Sequence, residues 1–492
     1  MQNDQERSKP TGSEDLTPRL DLPGAPELAG APELMRPPAS TRGSSDLPPI
    51  TSPPKATGGM HVLYVVYDCA LGLIWALLLP VFLLLGLAKP RLARKALSLS
   101  TVGLPRLPSP AKPRVLVHGV SVGEVKASQS LVRALRERYD VVISAFSDTG
   151  LEVARQLYPD LIVVRFPIDF VPLVRRFWRR IRPHHVLLME LEAWPCFLRE
   201  ANRRGAPVSI VSGRITEHSF ARYRLFGALP QFDRISLFAV QDETYAERFA
   251  SLVGTRARIV VTGNVKVDGL RLGPAPRDER FDALARLAGG APGQRVLVAG
   301  STHEPEERLV LDAFRAADPS ARIVLVPRHP DRADELEASL ADARPQRLSR
   351  LRAGEAPDAA RPLMVDTIGE LERVYALADI VFVGGSLIRH GGQNMLEPAA
   401  QGKCVLYGPH TDNFVQETTL LERAGGARRV ADAAALAVAV RELVADPAEA
   451  RAMGERAVLA VERQRGATEA TLHALAERAG LVTGAHAGRA AL

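Results

Sequence analysis

The sequence predicts an α/β protein built from two doubly wound domains, each a parallel sheet with helices on both faces. Three observations lead there. From residue 114 onward, short apolar runs bounded by turn residues alternate with amphipathic segments. The alternation pauses once, over residues 269–293 with Pro274, Pro276 and Pro292, and then restarts. Side chains able to do chemistry sit at the carboxyl ends of the apolar runs, which is where open α/β sheets bind ligands.

The elements follow in order. Residues 1–59 are rich in Pro, Gly, Ser and Glu and carry the repeat GAPEL at 24–28 and 30–34, a composition too polar to offset its ordering entropy. Residues 60–95 are expected to be a membrane anchor with a basic flank. From Met60 to Ala88 the only full charge is Asp68, and Lys89, Arg91, Arg94 and Lys95 follow. The flank predicts that the bulk of the chain lies on the cytoplasmic side of the membrane. Asp68 and Pro80 leave an interfacial helix as the second reading. An N-terminal domain is expected over 110–268, with strands at 114–118, 141–146, 161–166, 185–189, 207–211, 237–241 and 259–262 and helices at 123–139, 151–158 and 170–181. After the linker at 269–293, a C-terminal domain is expected over 294–482. Its strands fall at 295–299, 323–327, 363–366, 380–383 and 405–407, and an Ala-rich helical region runs over 432–479.

Composition narrows the function. The chain has 492 residues, 46% hydrophobic and 24% charged, ordinary for a globular protein of two or three domains. Its net charge of +7 suits an anionic membrane surface or a phosphorylated substrate. Aromatics are only 5% and no basic run is interleaved with them, so nucleic acid is not an expected partner. Cys69, Cys196 and Cys404 form no CxxC pair, which argues against a disulfide framework or a cysteine zinc site.

The richest motif is GGSLIRHGGQNMLEP at 384–398. Its four glycines let backbone approach a ligand, and the helix it opens offers N–H groups suited to a phosphate. Asn394 and Glu397 lie three apart on one helix face, placed for sugar hydroxyls. HGVSVGE at 118–124 puts Ser121 and Glu124 at a strand-to-helix turn, where a carboxylate can serve as a general base or merely favour the helix N-terminus. MELEAWP at 189–195 brings Glu190 and Glu192 two apart, on one side of an extended backbone, either as a functional pair or as salt-bridge partners of nearby arginines. GNVKVD at 263–268 offers Lys266, to a bound anion or to solvent. GSTHE at 300–304 places Ser301 and Glu304 at capping-box spacing, with Thr302 between them. PRHP at 327–330 supplies Arg328 as an oxyanion clamp. Neither a GxxxxGK[ST] loop nor an Asp-x-Asp pair occurs, so a metal-free mechanism with no cofactor is expected.

Together these blocks, with SGRITEHSF at 212–220, DTIGEL at 366–371 and YGPHTDNF at 407–414, resemble the 3-deoxy-D-manno-octulosonic acid (Kdo) transferase family over about residues 60–479. The resemblance implies a GT-B fold with a membrane-associated N-terminus. It implies inverting transfer of Kdo from CMP-Kdo to a lipid A precursor in lipopolysaccharide biosynthesis. By matching position it makes Glu124 the proton acceptor, with Glu190 and Lys266 stabilising the transition state. It assigns CMP binding to Pro327, Arg328, Ile368, Gly369, Glu370, Asn394, Met395, Leu396 and Glu397. Ser121, Glu192, Arg214, Ser301, Thr302, Gly385 and Ser386 are further candidates within the matched blocks. The chain departs from the family's usual residues at Cys196, Ser212-Gly213, Pro305 and Gln393. Two alternatives stay open: a GT-B transferase using a UDP-sugar, and a membrane-tethered nucleotide-sugar-binding protein without activity.

Overall fold

A computed structural model describes residues 65–74, 77, 104, 106–226, 232–288 and 290–481. The first sheet contains β1 (Arg114–Gly119), β2 (Asp140–Ala145), β3 (Ile162–Arg165), β4 (His185–Met189), β5 (Val208–Gly213), β6 (Leu237–Val240) and β7 (Ile259–Val261) in the order β3-β2-β1-β4-β5-β6-β7. The second contains β8 (Val296–Thr302), β9 (Arg322–Pro327), β10 (Gln346–Arg347), β11 (Leu363–Met364), β12 (Ile380–Val383), β13 (Cys404–Tyr407) and β14 (Ala427–Arg429) in the order β10-β11-β9-β8-β12-β13-β14. Every pairing is parallel. In each sheet the strand order reverses beside the first strand, at β1/β4 and β8/β12, and this opens a crevice at the carboxyl ends. Two such sheets are the GT-B arrangement the sequence predicts.

The central strands are buried on both faces, as their unbroken apolar runs require. Two short edge strands, β10 and β14, have no counterpart in the sequence reading, because two or three residues carry no period to detect. The helix expected over 123–139 is two, Val122–Ala127 and Gln129–Leu135. Ser128 ends the first by donating its hydroxyl back to the Val125 carbonyl at 2.8 Å. The Ala-rich region divides into Ala433–Ala445, Pro447–Glu462 and Ala467–Ala479, broken at Asp446-Pro447 and at Gly466.

Two packing facts redraw the domain edges. The proline-flanked stretch after residue 268 contains a helix, Glu279–Ala288, whose Leu284 and Ala288 sit in the core of the second sheet. The last helix, Ala467–Ala479, was expected in the second domain but packs on the first. Ala467, Ala474, Leu475 and Ala479 share a core with Val115, Val117 and Val211. Its small residues permit close approach, and Thr471 bonds Thr262 at 3.0 Å.

The expected anchor at 60–95 lies largely outside the described residues. Among the described residues, no helix is long and apolar enough to cross a membrane. The described turns at 65–74 dock on the first domain. Asp68 pairs with Arg199 at 2.5 Å and Tyr67 donates to Asp169 at 3.3 Å, while Val65, Val66, Leu73 and Ile74 stay exposed.

Candidate active site

Glu124 stands in the first turn of helix Val122–Ala127, directly after β1. Its carboxylate is held on both oxygens. Val120 N–H donates at 2.7 Å and the Ser121 hydroxyl at 2.8 Å, while Ser121 Oγ caps the helix by accepting from Glu124 N–H. Burial, then the neighbouring Glu190 carboxylate, raise its pKa above the ordinary value; the two hydrogen bonds and Lys266 pull the other way.

Glu190 follows β4 and is ion-paired with Lys266. Its backbone is left-handed (φ 58°), so the extended geometry expected for Glu190 and Glu192 is not what aligns them. Ser212 (φ 54°) in β5 and Ser301 (φ 57°) in β8 share this conformation. Of the five described non-glycine residues in this sparsely populated region, these three lie at the carboxyl ends of strands, strain of the kind that collects at functional sites, while Arg182 and Arg344 end helical turns. Glu192 accepts from Trp194 Nε1 at 2.6 Å. Burial, followed by Glu124, pushes its carboxyl up to about 8. Lys266 lies in the short helix Val265–Asp268, capped by Asn264. Val265 on one side of it belongs to the first core and Val267 on the other to the second, so the lysine sits where the chain crosses between domains. Arg214 reaches across to the Asn413 carbonyl at 3.1 Å.

On the second sheet the structure revises the reading of the glycine-rich turn. The turn whose glycines are expected to bring backbone up to a ligand instead faces a side chain: the N–H groups of Gly385, Ser386 and Leu387 donate to the Glu306 carboxylate at 2.6, 3.0 and 2.9 Å. Glu306 is 0% exposed. The Ser386 hydroxyl is also spent internally, donating to Val383 O and accepting from Gly408 N–H. The expected capping box at Ser301 and Glu304 is absent. β8 continues through a bulge to Thr302, and the helix starts at Glu306 with no side-chain cap.

Of the other expected nucleotide-binding residues, Arg328 and the 394–397 block come together. Asn394 Nδ2 donates to Glu397 at 3.1 Å and its Oδ1 accepts from Leu396 N–H at 3.1 Å. Met395, not Asn394, is the residue at the helix boundary; it and Leu396 are buried. Burial raises the Glu397 carboxyl, and Lys126 from the first domain is the foremost group opposing that rise, joined by Asn394 and Arg328. Pro327 ends β9, and Arg328 N–H follows by donating to Thr302 O at 2.9 Å. Ile368 is 89% exposed, Gly369 is left-handed (φ 90°), and Glu370 pairs with Arg352 at 2.7 Å. His118, the first residue of the HGVSVGE block, is a core residue stacked on Phe166 at 3.8 Å.

Comparison with known proteins gives a family and a fold. The family described as 3-deoxy-D-manno-octulosonic-acid transferase (kdotransferase) matches residues 93–269. The chain is 36% identical over 389 residues to the 3-deoxy-D-manno-octulosonic acid transferase of Bordetella pertussis, covering 75% of this chain and 88% of that one. It is 32% identical over 375 residues to the Haemophilus influenzae protein of the same description, covering 73% and 86%. Among solved structures, UDP-GlcNAc 2-epimerase from Neisseria meningitidis shares the fold. The TM-score is 0.52 at 13% identity, covering 74% of this chain and 100% of that one.

Proposed function

Because the chain belongs to the 3-deoxy-D-manno-octulosonic acid transferase family and is therefore a glycosyltransferase, we propose that it transfers Kdo from CMP-Kdo to a lipid A precursor with inversion, Glu124 taking the proton of the acceptor hydroxyl. The observation that carries this reading is the Glu124 environment: a carboxylate held on both oxygens at a strand end, its pKa raised by burial and Glu190. A raised pKa brings a carboxylate closer to the operating pH, where a general base works best. Attack by the hydroxyl oxygen forms the new glycosidic bond as the bond from the anomeric carbon to the CMP phosphate oxygen breaks. The electron pair leaves with CMP. The Lys266–Glu190 pair beside Glu124 supplies fixed charge for the transition state, and Arg328, Ile368, Gly369, Glu370 and Asn394 to Glu397 are assigned to the nucleotide.

The acceptor is a lipid, and the proposal places the protein at the inner membrane with its sheets on the cytoplasmic side. The apolar run at 60–88 with its basic flank and the exposed apolar residues of 65–74 support that placement. Substituting Glu124→Gln tests the mechanism. Transfer is expected to fall by roughly 10²–10⁴-fold while CMP affinity stays near wild type; unchanged turnover would remove Glu124 from the base role. Chelator is expected to leave the rate unchanged, and binding of UDP-sugars without CMP would favour the other donor class.

A further inference from the structure

Beside the nucleotide residues lies a side-chain cluster to which no role has been given. His303, after β8, stacks on His390 of the glycine-rich turn with ring centroids 3.9 Å apart. His329, after β9, meets His303 edge-on at 5.7 Å. Gln393 Nε2 lies 3.0 Å from His303 Nε2. With the amide donating, that nitrogen accepts and the proton sits on Nδ1. Gly385, left-handed at φ 68°, lies directly against the stack: a Cβ there would sit in ordinary contact, 3.4 Å, with both the His303 and the His390 rings. His303 is 8% exposed, whereas His329 and His390 are open to solvent.

The field around the cluster is positive. Burial pushes His303 down to about 4, and His390, His329, Arg328 and Arg332 each push it further the same way. The nearby carboxylates are engaged elsewhere. Glu306 is bound to the turn N–H groups, Glu304 and Glu307 pair with Arg332 at 3.3 and 3.4 Å, and Glu397 bonds Asn394. Arg332 is paired with Glu304, Glu307 and Glu335, so the charge that attracts an anion comes from the three imidazoles and Arg328. A packing role would ask for neither the solvent-open rings nor the shared position at the ends of three neighbouring strands.

We propose that His303, His329 and His390, with Arg328 beside them, form an oxyanion subsite that receives a phosphate or carboxylate oxygen of the donor. The proposal deepens the donor reading above and rests on it. A CMP-activated sugar acid carries both groups at its reacting centre, the phosphate on the leaving side and the carboxylate on the anomeric carbon. Imidazole N–H donors and a guanidinium aimed there would hold the anomeric carbon in place and draw charge onto the departing phosphate.

The test uses the full chain in detergent with the double variant His329→Asn/His390→Asn, both positions being solvent-open. Affinities for cytidine, CMP and CMP-Kdo are compared with wild type by calorimetry. Cytidine, which has no anion, is expected to bind equally. CMP, or CMP-Kdo alone, is expected to weaken by about tenfold or more, the scale of lost charge-assisted hydrogen bonds. Weakening of CMP assigns the subsite to phosphate; weakening of CMP-Kdo alone assigns it to the carboxylate. Wild-type affinity for both overturns the proposal. If wild type binds no cytidine nucleotide, the donor reading itself has failed. The subsite is then decided by diethyl pyrocarbonate labelling of His329 and His390, read by peptide mass spectrometry. Protection by inorganic phosphate or by the free sugar acid supports an anion subsite, and labelling indifferent to both overturns it.

Discussion

Glu192 carries a proton near neutral pH because burial and then the Glu124 carboxylate make its ionised form costly, pushing its carboxyl from the usual value near 4.5 up to about 8. The folded protein thus binds this proton more tightly than the unfolded chain. The stability it contributes is present below about 4.5 and is lost as pH rises toward about 8. Glu192→Gln is therefore expected to raise the melting temperature at about pH 8 relative to wild type and to change it little at about pH 4.5. Equal shifts at both pH values would contradict this account. In transfer assays, Glu124 must be ionised to accept a proton, so kcat/KM is expected to fall as pH drops through its raised pKa. Glu192 ionising near pH 8 adds negative charge beside Glu124, so a step in kcat/KM is expected there in wild type and is expected to be absent from Glu192→Gln. These residues were legible in the sequence as carboxylates at strand ends. Their coupling was not, because Glu190 meets Lys266 across 76 positions of chain.

At the scale of elements, the turn at 384–387 shows how a correct location can carry an incorrect role. Glycines after a buried strand marked a backbone prepared for an anion, and the anion found is the Glu306 side chain, about 80 residues away in sequence. No local pattern reports such a partner. Glu306→Gln replaces one accepting oxygen with a donor facing N–H groups, and is expected to cost on the order of 3 kcal/mol, read as a lowered melting temperature with weakened CMP binding. A second element-level constraint is the contact between helix Pro447–Glu462 and the turn after Ala400. A Cβ at Gly454 would overlap the Gly402 carbonyl oxygen. Gly454→Ala is expected to destabilise by roughly 2 kcal/mol, measured by denaturant unfolding; an unchanged midpoint would show the helix free to shift. The sheet strands themselves were readable because buried parallel strands are continuous apolar runs. The capping-box spacing of Ser301 and Glu304 carries no sign that β8 runs on through a bulge.

At the scale of the whole molecule, the chain passes from the first sheet to the second at Val265–Asp268 and returns for its last helix at Gly466. The two passages are tied together, since the Asp268 carboxylate accepts from Gly466 N–H at 2.9 Å and from Thr468 N–H. Leu475, fully buried against the first sheet, is expected on truncation to Ala to cost about 2–5 kcal/mol. Hydrogen exchange should report the loss in β1 and β5 rather than in the second sheet; faster exchange confined to β8–β14 would place the helix elsewhere. The sequence offered two alternating blocks but no sign of the return, because an Ala-rich helix reads alike whichever sheet it covers.

That return bears on how the protein is made. Val115 and Leu481 belong to one core. A ribosome releases the first sheet, complete at Val261, well before the helix Ala467–Ala479, so the first domain waits with an apolar face uncovered while roughly 200 further residues are made. During that interval the nascent chain presents the surface that chaperones hold. A release assay on stalled chains ending before and after residue 481 would time the moment at which the first domain closes.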